Sequence, residues 1–476
     1  MANKTKTTSS SSHSSGVIYS KDEDAILTYI KEQSKKELDP LLLKESAGKE
    51  SCCIFRIPER LAEVNPEAYK PKVVSIGPYH YGEKHLQMIQ EHKPRFRKLF
   101  LDKAREKNVE ENVLFKAVMD LKETITTSYS EELRKTSSEL VHMMILDGCF
   151  ILMLLLIESR VIDFDKKEDP IFTIPWILPS IKSDLLFLEN QVPFSVLKTL
   201  LEISKIDISG DVNRMVYPFF NSSIDIPERN RVSQTNFEAK HLLDLIRKTF
   251  IPTMGESETT STSATSGVEP KTTSSSSKEF ILSAKRLRLR GIKFRIRSDA
   301  DSVLDIRLQK NRLQIPLLRF DEFISPIFLN CVAYEQFYTK STNHITSYVV
   351  FMGCLLKGEE DAAFLSNDKE IIENYFGSEN EVSQFFKNIS KDVVFDISKS
   401  YLRNEFEGVN KYTSKWYNRV WAGFRHTHFE SPWTCLSSFA VIFVILLTML
   451  QSTVAILSYL NDKKDDGNAP PPLRSP

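Results

Sequence analysis

From Leu436 to Leu460 the chain carries no Asp, Glu, Lys, Arg or His. A helix needs roughly 20 apolar residues to cross about 30 Å of hydrocarbon, and this stretch is long enough. Twelve residues between Phe439 and Leu457 are Phe, Val, Ile or Leu. At about −0.3 to −0.6 kcal/mol each, they favour insertion by about −4 to −7 kcal/mol. Gln451, Ser452 and Thr453 subtract from this, yet a penalty of about +3.5 kcal/mol, as large as aspartate's, would not cancel it. The competing reading is a buried core helix, which length disfavours. The expectation is one transmembrane helix over 436–460, followed by a short polar tail, 461–476.

Ahead of the anchor the composition points to a globular, helical body. Hydrophobic residues are 41% of 476, enough for a sizeable core. Glycine is scarce at 15 residues, which disfavours both β-rich folds and glycine-lined nucleotide loops. Lys plus Arg and Asp plus Glu are both 63, so no global charge draws the chain to nucleic acid. Six cysteines in so long a chain are not a disulfide framework, and a reducing compartment is expected around the body. The N-terminus has no apolar run of the kind a secretory signal needs, and residues 1–20 read as a disordered Ser/Thr-rich tail. Basic residues flanking the anchor are Lys411, Lys415, Arg419 and Arg425 before it, against Lys463, Lys464 and Arg474 after it. This favours a cytosolic body. The sequons at Asn3, Asn221 and Asn388 do not decide topology.

The body, 21–425, is expected to be mainly α. A helix starts near Ser20 and ends near Lys36; tightly spaced prolines then exclude long helices from Cys52 to Gly82. Pro94 suits a first helical turn. Ser138–Glu158 reads as the central core helix, and Trp176–Leu201 as two helices broken near Gln191. A helix around His241–Ile246 ends before Pro252. Residues 252–279 are dominated by Ser, Thr and small polar residues and should form a disordered loop or linker, a possible phosphorylation platform. Phe280–Arg290 then reads as a helix with Gly291 as its C-cap. Alternation at Ile292, Phe294 and Ile296, with further strands at Val303–Leu308 and Leu313–Ile315, predicts a small antiparallel sheet within 292–316. Helices resume near Pro326 and run to Arg425, where aromatics and cations suit a membrane interface.

Motifs for chemistry are missing. There is no GxGxxG, GxxxxGK, GxSxG or HExxH. His80, His85 and His92 lack the ligand spacing of a zinc site. No metal, cofactor or catalytic residue is expected. Asp147 interrupts an apolar helix, and Glu189, Asn190 and Gln191 interrupt another apolar run; the four are read as a structural polar core tying backbone and helix ends together. The sharper alternative makes Asp147 or Glu189 a perturbed carboxylate in a catalytic cleft. Lys285–Arg297 holds seven cations, among them Arg286, Arg288, Arg290, Lys293, Arg295 and Arg297. They are a candidate basic patch for anionic lipid or an acidic partner, the alternative being a solvated edge. Cys435, at the membrane boundary, is a candidate for acylation.

The stretch CCIFRIPERLAEVNPEAYKPKVVSIGPYHYGEKHLQMIQEHKPRFRKLF, from Cys52 to Phe100, resembles the opening of the plant family called domain of unknown function 247. The resemblance continues through ELVHMMILDGCFILMLLL (Glu139–Leu156), LLFLENQVPFSVLKTL (Leu185–Leu200), KHLLDLIR (Lys240–Arg247), LDIRLQKNRLQIPLLRFDE (Leu304–Glu322) and HITSYVVFMGCL (His344–Leu355). The Ser/Thr-rich insert is longer than the family pattern needs. The resemblance implies a plant protein ending in a single membrane helix, with no established enzymatic activity and no catalytic residues to carry over. Some family members are associated with reproductive self-recognition. The expectation is therefore a non-enzymatic, single-pass protein, at the plasma membrane with a cytosolic body, serving as an interaction or recognition component for an unknown protein partner. A lipid-contacting scaffold is the other alternative.

Overall fold

The computed structural model describes residues 28, 43–63, 65–208, 211–221, 238–252, 279–375, 377–391, 393–416 and 432–465. The N-terminal tail, the helix ending near Lys36 apart from Thr28, the Ser/Thr-rich run 253–278, the aromatic stretch 417–425 and the tail beyond Asp465 lie outside them. Among the described residues twelve helices have eight residues or more. They are α1 Lys93–Glu106, α2 Glu111–Asp120, α3 Ser137–Glu158, α4 Ile177–Asp184, α5 Phe194–Ser204, α6 Asn213–Asn221, α7 Leu242–Phe250, α8 Ile324–Phe337, α9 His344–Leu355, α10 Glu379–Ile389, α11 Arg403–Thr413 and α12 Pro432–Asp465.

Helix α3 is the centre of the first half. Thr136 caps it and Glu139 reaches back, a reciprocal capping box that holds its first turn. Its sequence is apolar on every face, so it must be covered on every face. Helices α1, α2, α5 and α6 provide that cover. Phe96 of α1 meets Phe150 edge-on at 5.2 Å. Gly148 lets α5 come close, since a Cβ there would stand 2.6 Å from Leu200 Cδ1. In the second half α8 packs on α7 and α9, and α9 on α10. Phe328 of α8 contacts Phe250 of α7, which precedes 253–278, at 6.0 Å and Tyr348 of α9, which follows it, at 5.9 Å. One buried apolar cluster draws on residues from both sides of 253–278.

The small sheet forms within 292–316 as expected, but residues 303–306 stay outside the strand expected over Val303–Leu308, and the sheet is mixed rather than wholly antiparallel. Strands β2 (Arg307–Gln309) and β3 (Arg312–Ile315) make an antiparallel hairpin, with Lys310 at φ +58° in its turn. Strand β1 (Lys293–Ile296) lies parallel to β3, with Phe294 opposite Leu313, giving the order β1-β3-β2. Period-2 alternation says which face a strand buries and nothing about its neighbour. Here the connection after β1 is long enough for the chain to pass β3's place and return. A second sheet pairs β4 (Leu318–Phe320) in parallel with β5 (Ile372–Asn374). Strand β5 falls in a region expected to be helical; three residues are too few to show a period. The helix expected from Phe280 begins only at Ala284 and ends at Leu289, with Gly291 at φ +92° just beyond it.

Among the described residues two helices are long and apolar enough to cross a membrane, and their surroundings separate them. Ser137–Glu158 has mean hydropathy 2.5 and is 94% buried; Phe439–Leu460 has mean hydropathy 2.4 and is 0% buried.

Candidate functional site

Residues 71–80 run through the interior without joining a helix or sheet. A buried backbone of that kind must find its hydrogen bonds elsewhere. Side chains supply them. The Asp184 carboxylate accepts from the N–H groups of Lys72 (2.9 Å), Val73 (2.7 Å) and Val74 (2.9 Å). Asn190 accepts from Ile76 N–H at 2.6 Å and donates to Val74 O at 3.0 Å. Asp147 accepts from Gly77 N–H at 2.8 Å through Oδ2 and from Lys93 Nζ at 2.5 Å through Oδ1. Lys93 also donates to Ser75 O. Gly77 has φ +74°, and a Cβ there would stand 2.5 Å from Gln191 O, so backbone and glycine are matched at the tightest point of the clamp.

The other two residues of the candidate polar core tie neighbouring loops. Glu189 accepts from Ile57 N–H at 2.6 Å. Gln191 donates to Leu185 O (2.7 Å) and Phe187 O (2.8 Å) and accepts from Leu243 N–H at 3.3 Å. His80 stands between carboxylates, 2.9 Å from Glu189 and 2.8 Å from Glu83. Burial acts to lower its pKa, but the two carboxylates outweigh it and the net shift is upward. Burial lifts Asp147 and depresses Lys93, each against the pull of the other's charge. Asp184 is lifted to about 6 by burial, in spite of its N–H donors. Asp147 is 1% exposed with both oxygens occupied.

A second polar cluster joins α7, α8 and α9. Arg247 is 3% exposed and donates to Asp244 (3.2 Å) and to Glu335 (3.1 Å). Glu335 in turn accepts from the N–H groups of Ile345 (3.1 Å) and Thr346 (2.8 Å), so it caps the first turn of α9 from another helix. At the start of α7, His241 accepts from Asp244 N–H at 3.2 Å through Nδ1, while Nε2 lies 3.1 Å from Cys53 O and must carry the proton. Both bonds need the neutral ring, and burial lowers its pKa to about 4.

The linkage sign follows from that shift. The folded protein binds fewer protons at His241 than the unfolded chain between about pH 4 and 6.5, so this contribution is present above the unfolded value and lost as pH falls. Asp184, with its raised value, contributes the opposite slope, present below the unfolded carboxylate range and lost as pH rises through about 6. The comparison must therefore be with a variant. In denaturant unfolding, wild-type stability should fall relative to His241→Asn by about 3 kcal/mol between pH 6.5 and 4. Parallel pH profiles for the two proteins would contradict it.

The candidate basic patch loses one member to the interior. Arg297 is 8% exposed and bound to Asp305 at 2.6 Å. Arg288 pairs with Asp368 at 3.2 Å and Lys285 with Glu360 at 2.7 Å. Arg290 is half-buried, whereas Arg286, Lys293 and Arg295 are exposed. Among the described residues no group of three or more His, Cys, Asp or Glu side chains could hold a metal ion. His85 bonds Pro71 O, and His92 accepts from Arg95. Cys52 and Cys53 are buried free thiols. The Cys435 side chain is outside the described residues.

Sequence reasoning missed Lys93, Asp184, Asp244, Arg247 and Glu335. Arg247 and Glu335 did carry a signal of the kind that marked Asp147, a charge set among apolar helical neighbours.

These features define a class: a mainly helical body around one apolar core, with buried charges bracing its irregular segments and a separate apolar helix near the C-terminus. The chain belongs to the plant family DUF247, described as plant protein of unknown function, whose pattern it matches over residues 54–447. It is 64% identical over 462 residues to a UPF0481 protein of Arabidopsis thaliana, covering 95% of this chain and 96% of that one. It is also 19% identical over 500 residues to a second UPF0481 protein of that plant, covering 88% and 92% of the two chains. No solved structure matches.

Proposed function

We propose that this is a single-pass membrane protein whose helical body is held at the bilayer, on the cytosolic side of the plasma membrane, as a non-enzymatic interaction or recognition component. The observation that carries the anchor is the exposure of Phe439–Leu460. Phe443, Val444, Ile445 and Leu446, which step around one helix by about 100° each, are all more than half exposed. A continuous apolar surface of that extent is unstable in water and calls for lipid or a partner. The equally apolar α3 raises no such demand, because the body encloses it. The enclosure of Asp147 favours the interaction reading over a catalytic carboxylate there.

Two arginines placed at the middle of the helix, Val444→Arg and Leu447→Arg, should each add about 2.5–3.5 kcal/mol to insertion and together offset most of its driving force. The double variant is expected in the carbonate-soluble fraction, with the wild type in the pellet. Release of the wild type by alkaline carbonate would defeat the anchor. Protease protection of the C-terminal tail in intact vesicles tests the side. Recovery of a defined partner only with the anchored form tests the recognition role, and equal recovery with a chain ending before Pro432 would count against it.

A further inference from the structure

Between α5, α7 and the loop joining α8 to α9 lies an open cleft of about 700 Å³. That volume is in the range of small-molecule sites. Five cations line it against three carboxylates. Three of the cations are engaged. Arg247 is held by Asp244 and Glu335, Lys248 lies 3.1 Å from Asp244, and Lys240 lies 3.8 Å from Glu50. Lys198 and Lys340 have no acidic partner among the described residues; Lys198 has only the Phe194 ring, 5.8 Å away.

The first turn of α5 opens on the same cleft. Phe194 N–H donates to Lys240 O at 2.7 Å and Val196 N–H to Pro193 O at 3.0 Å, which among the described residues leaves Ser195 N–H as that turn's unbonded amide. Ser195 lines the cleft, and among the described residues its Oγ has no hydrogen-bond partner. Rotation about a single bond re-aims that hydroxyl. A helix N-terminal amide, a hydroxyl and two compact ammonium groups are a donor set for a phosphate. Phe194, Ile251, Pro252 and Tyr338 supply an apolar wall beside it.

We propose that this cleft binds a phosphate monoester carried on an apolar body, the phosphate meeting Ser195, Lys198 and Lys340 and the apolar part lying on Phe194 and Tyr338. The reading is independent of the anchor, since it uses none of α12. Such a monoester could be a free metabolite or the headgroup of a lipid such as phosphatidic acid, and both present the same group to the lysines.

The test uses the full chain in detergent, with phenyl phosphate and dihexanoyl phosphatidic acid as probes in calorimetric titration. Both should bind the wild type. Affinity should rise between pH 5 and 7.5 as the monoester gains its second charge near pH 6. Lys198→Ala with Lys340→Ala should weaken binding at least tenfold, with Ser195→Ala adding to the loss. Both lysines are away from the core, so an unchanged melting temperature checks the fold. Tighter binding of the lipid identifies a headgroup site, and equal or tighter binding of phenyl phosphate a soluble one. No heat from either probe at millimolar concentration, or equal binding by the lysine variant, overturns the proposal.

Discussion

Arg247→Met is expected to cost about 3–5 kcal/mol, a large part of the roughly 5–15 kcal/mol that holds a domain folded. The guanidinium is enclosed and answers two carboxylates at once, Asp244 on its own helix and Glu335 on α8. Burial raises the Glu335 pKa, and the nearby guanidinium is the strongest effect opposing that rise. Removing the cation leaves Glu335 in a low-dielectric interior with only N–H donors for company, and Asp244 with Lys248 at 3.1 Å. The damage should spread to α9, because Glu335 is also the acceptor for its first-turn amides. Arg247→Lys should fall between the two, since an ammonium keeps the charge but lacks the fork that reaches both acids. Arg247→Met combined with Glu335→Gln should recover part of the loss. Denaturant midpoints of the four proteins measure this, and a single variant within about 1 kcal/mol of wild type would show that the triad is not a net support.

Lys93→Met should cost a similar amount, about 3–5 kcal/mol, by leaving the buried Asp147 carboxyl with no cation beside it. Lys93 is 0% exposed, so no water can replace it. Its effect is also local in a way Arg247's is not. Lys93 holds Ser75 O, and Asp147 holds Gly77 N–H, so the pair pins both ends of the tightest part of the 71–80 segment. Amide exchange at Gly77 should therefore accelerate more than global destabilisation explains, while exchange in α9 tracks stability alone. Uniform acceleration would mean that the pair stabilises the body without bracing that segment. In Lys93→Met with Asp147→Asn the buried charge is gone but a carbonyl acceptor for Gly77 remains, so part of the loss should return.

How far these sites could be read in advance depended on how local their signals were. Asp147 stood out because a carboxylate within a run of apolar helix has few explanations. Glu189, Asn190 and Gln191 stood out for the same reason. Lys93 did not, because a lysine beside a proline at a helix start looks like an exposed residue until a partner 54 positions away is known. Asp184 also looked ordinary at the end of a helix. Its work is to satisfy three amides some 110 residues earlier. The basic run misled in the opposite direction. Spacing alone put Arg297 with its neighbours, but the fold turns it inward onto Asp305.

The residue pattern by itself settled the helical class, the core helix α3, the break near Gln191, the place of the three-stranded sheet and the family. All of these rest on interactions within a few residues, or on periods that repeat along the chain. Only the tertiary structure decided that β3 sits between β1 and β2, that the irregular segment 71–80 is buried and held by side chains, and that two helices of nearly equal hydropathy have opposite surroundings. Those outcomes depend on which distant surfaces meet, because solvation of a buried charge or an apolar face is a property of its neighbours in space.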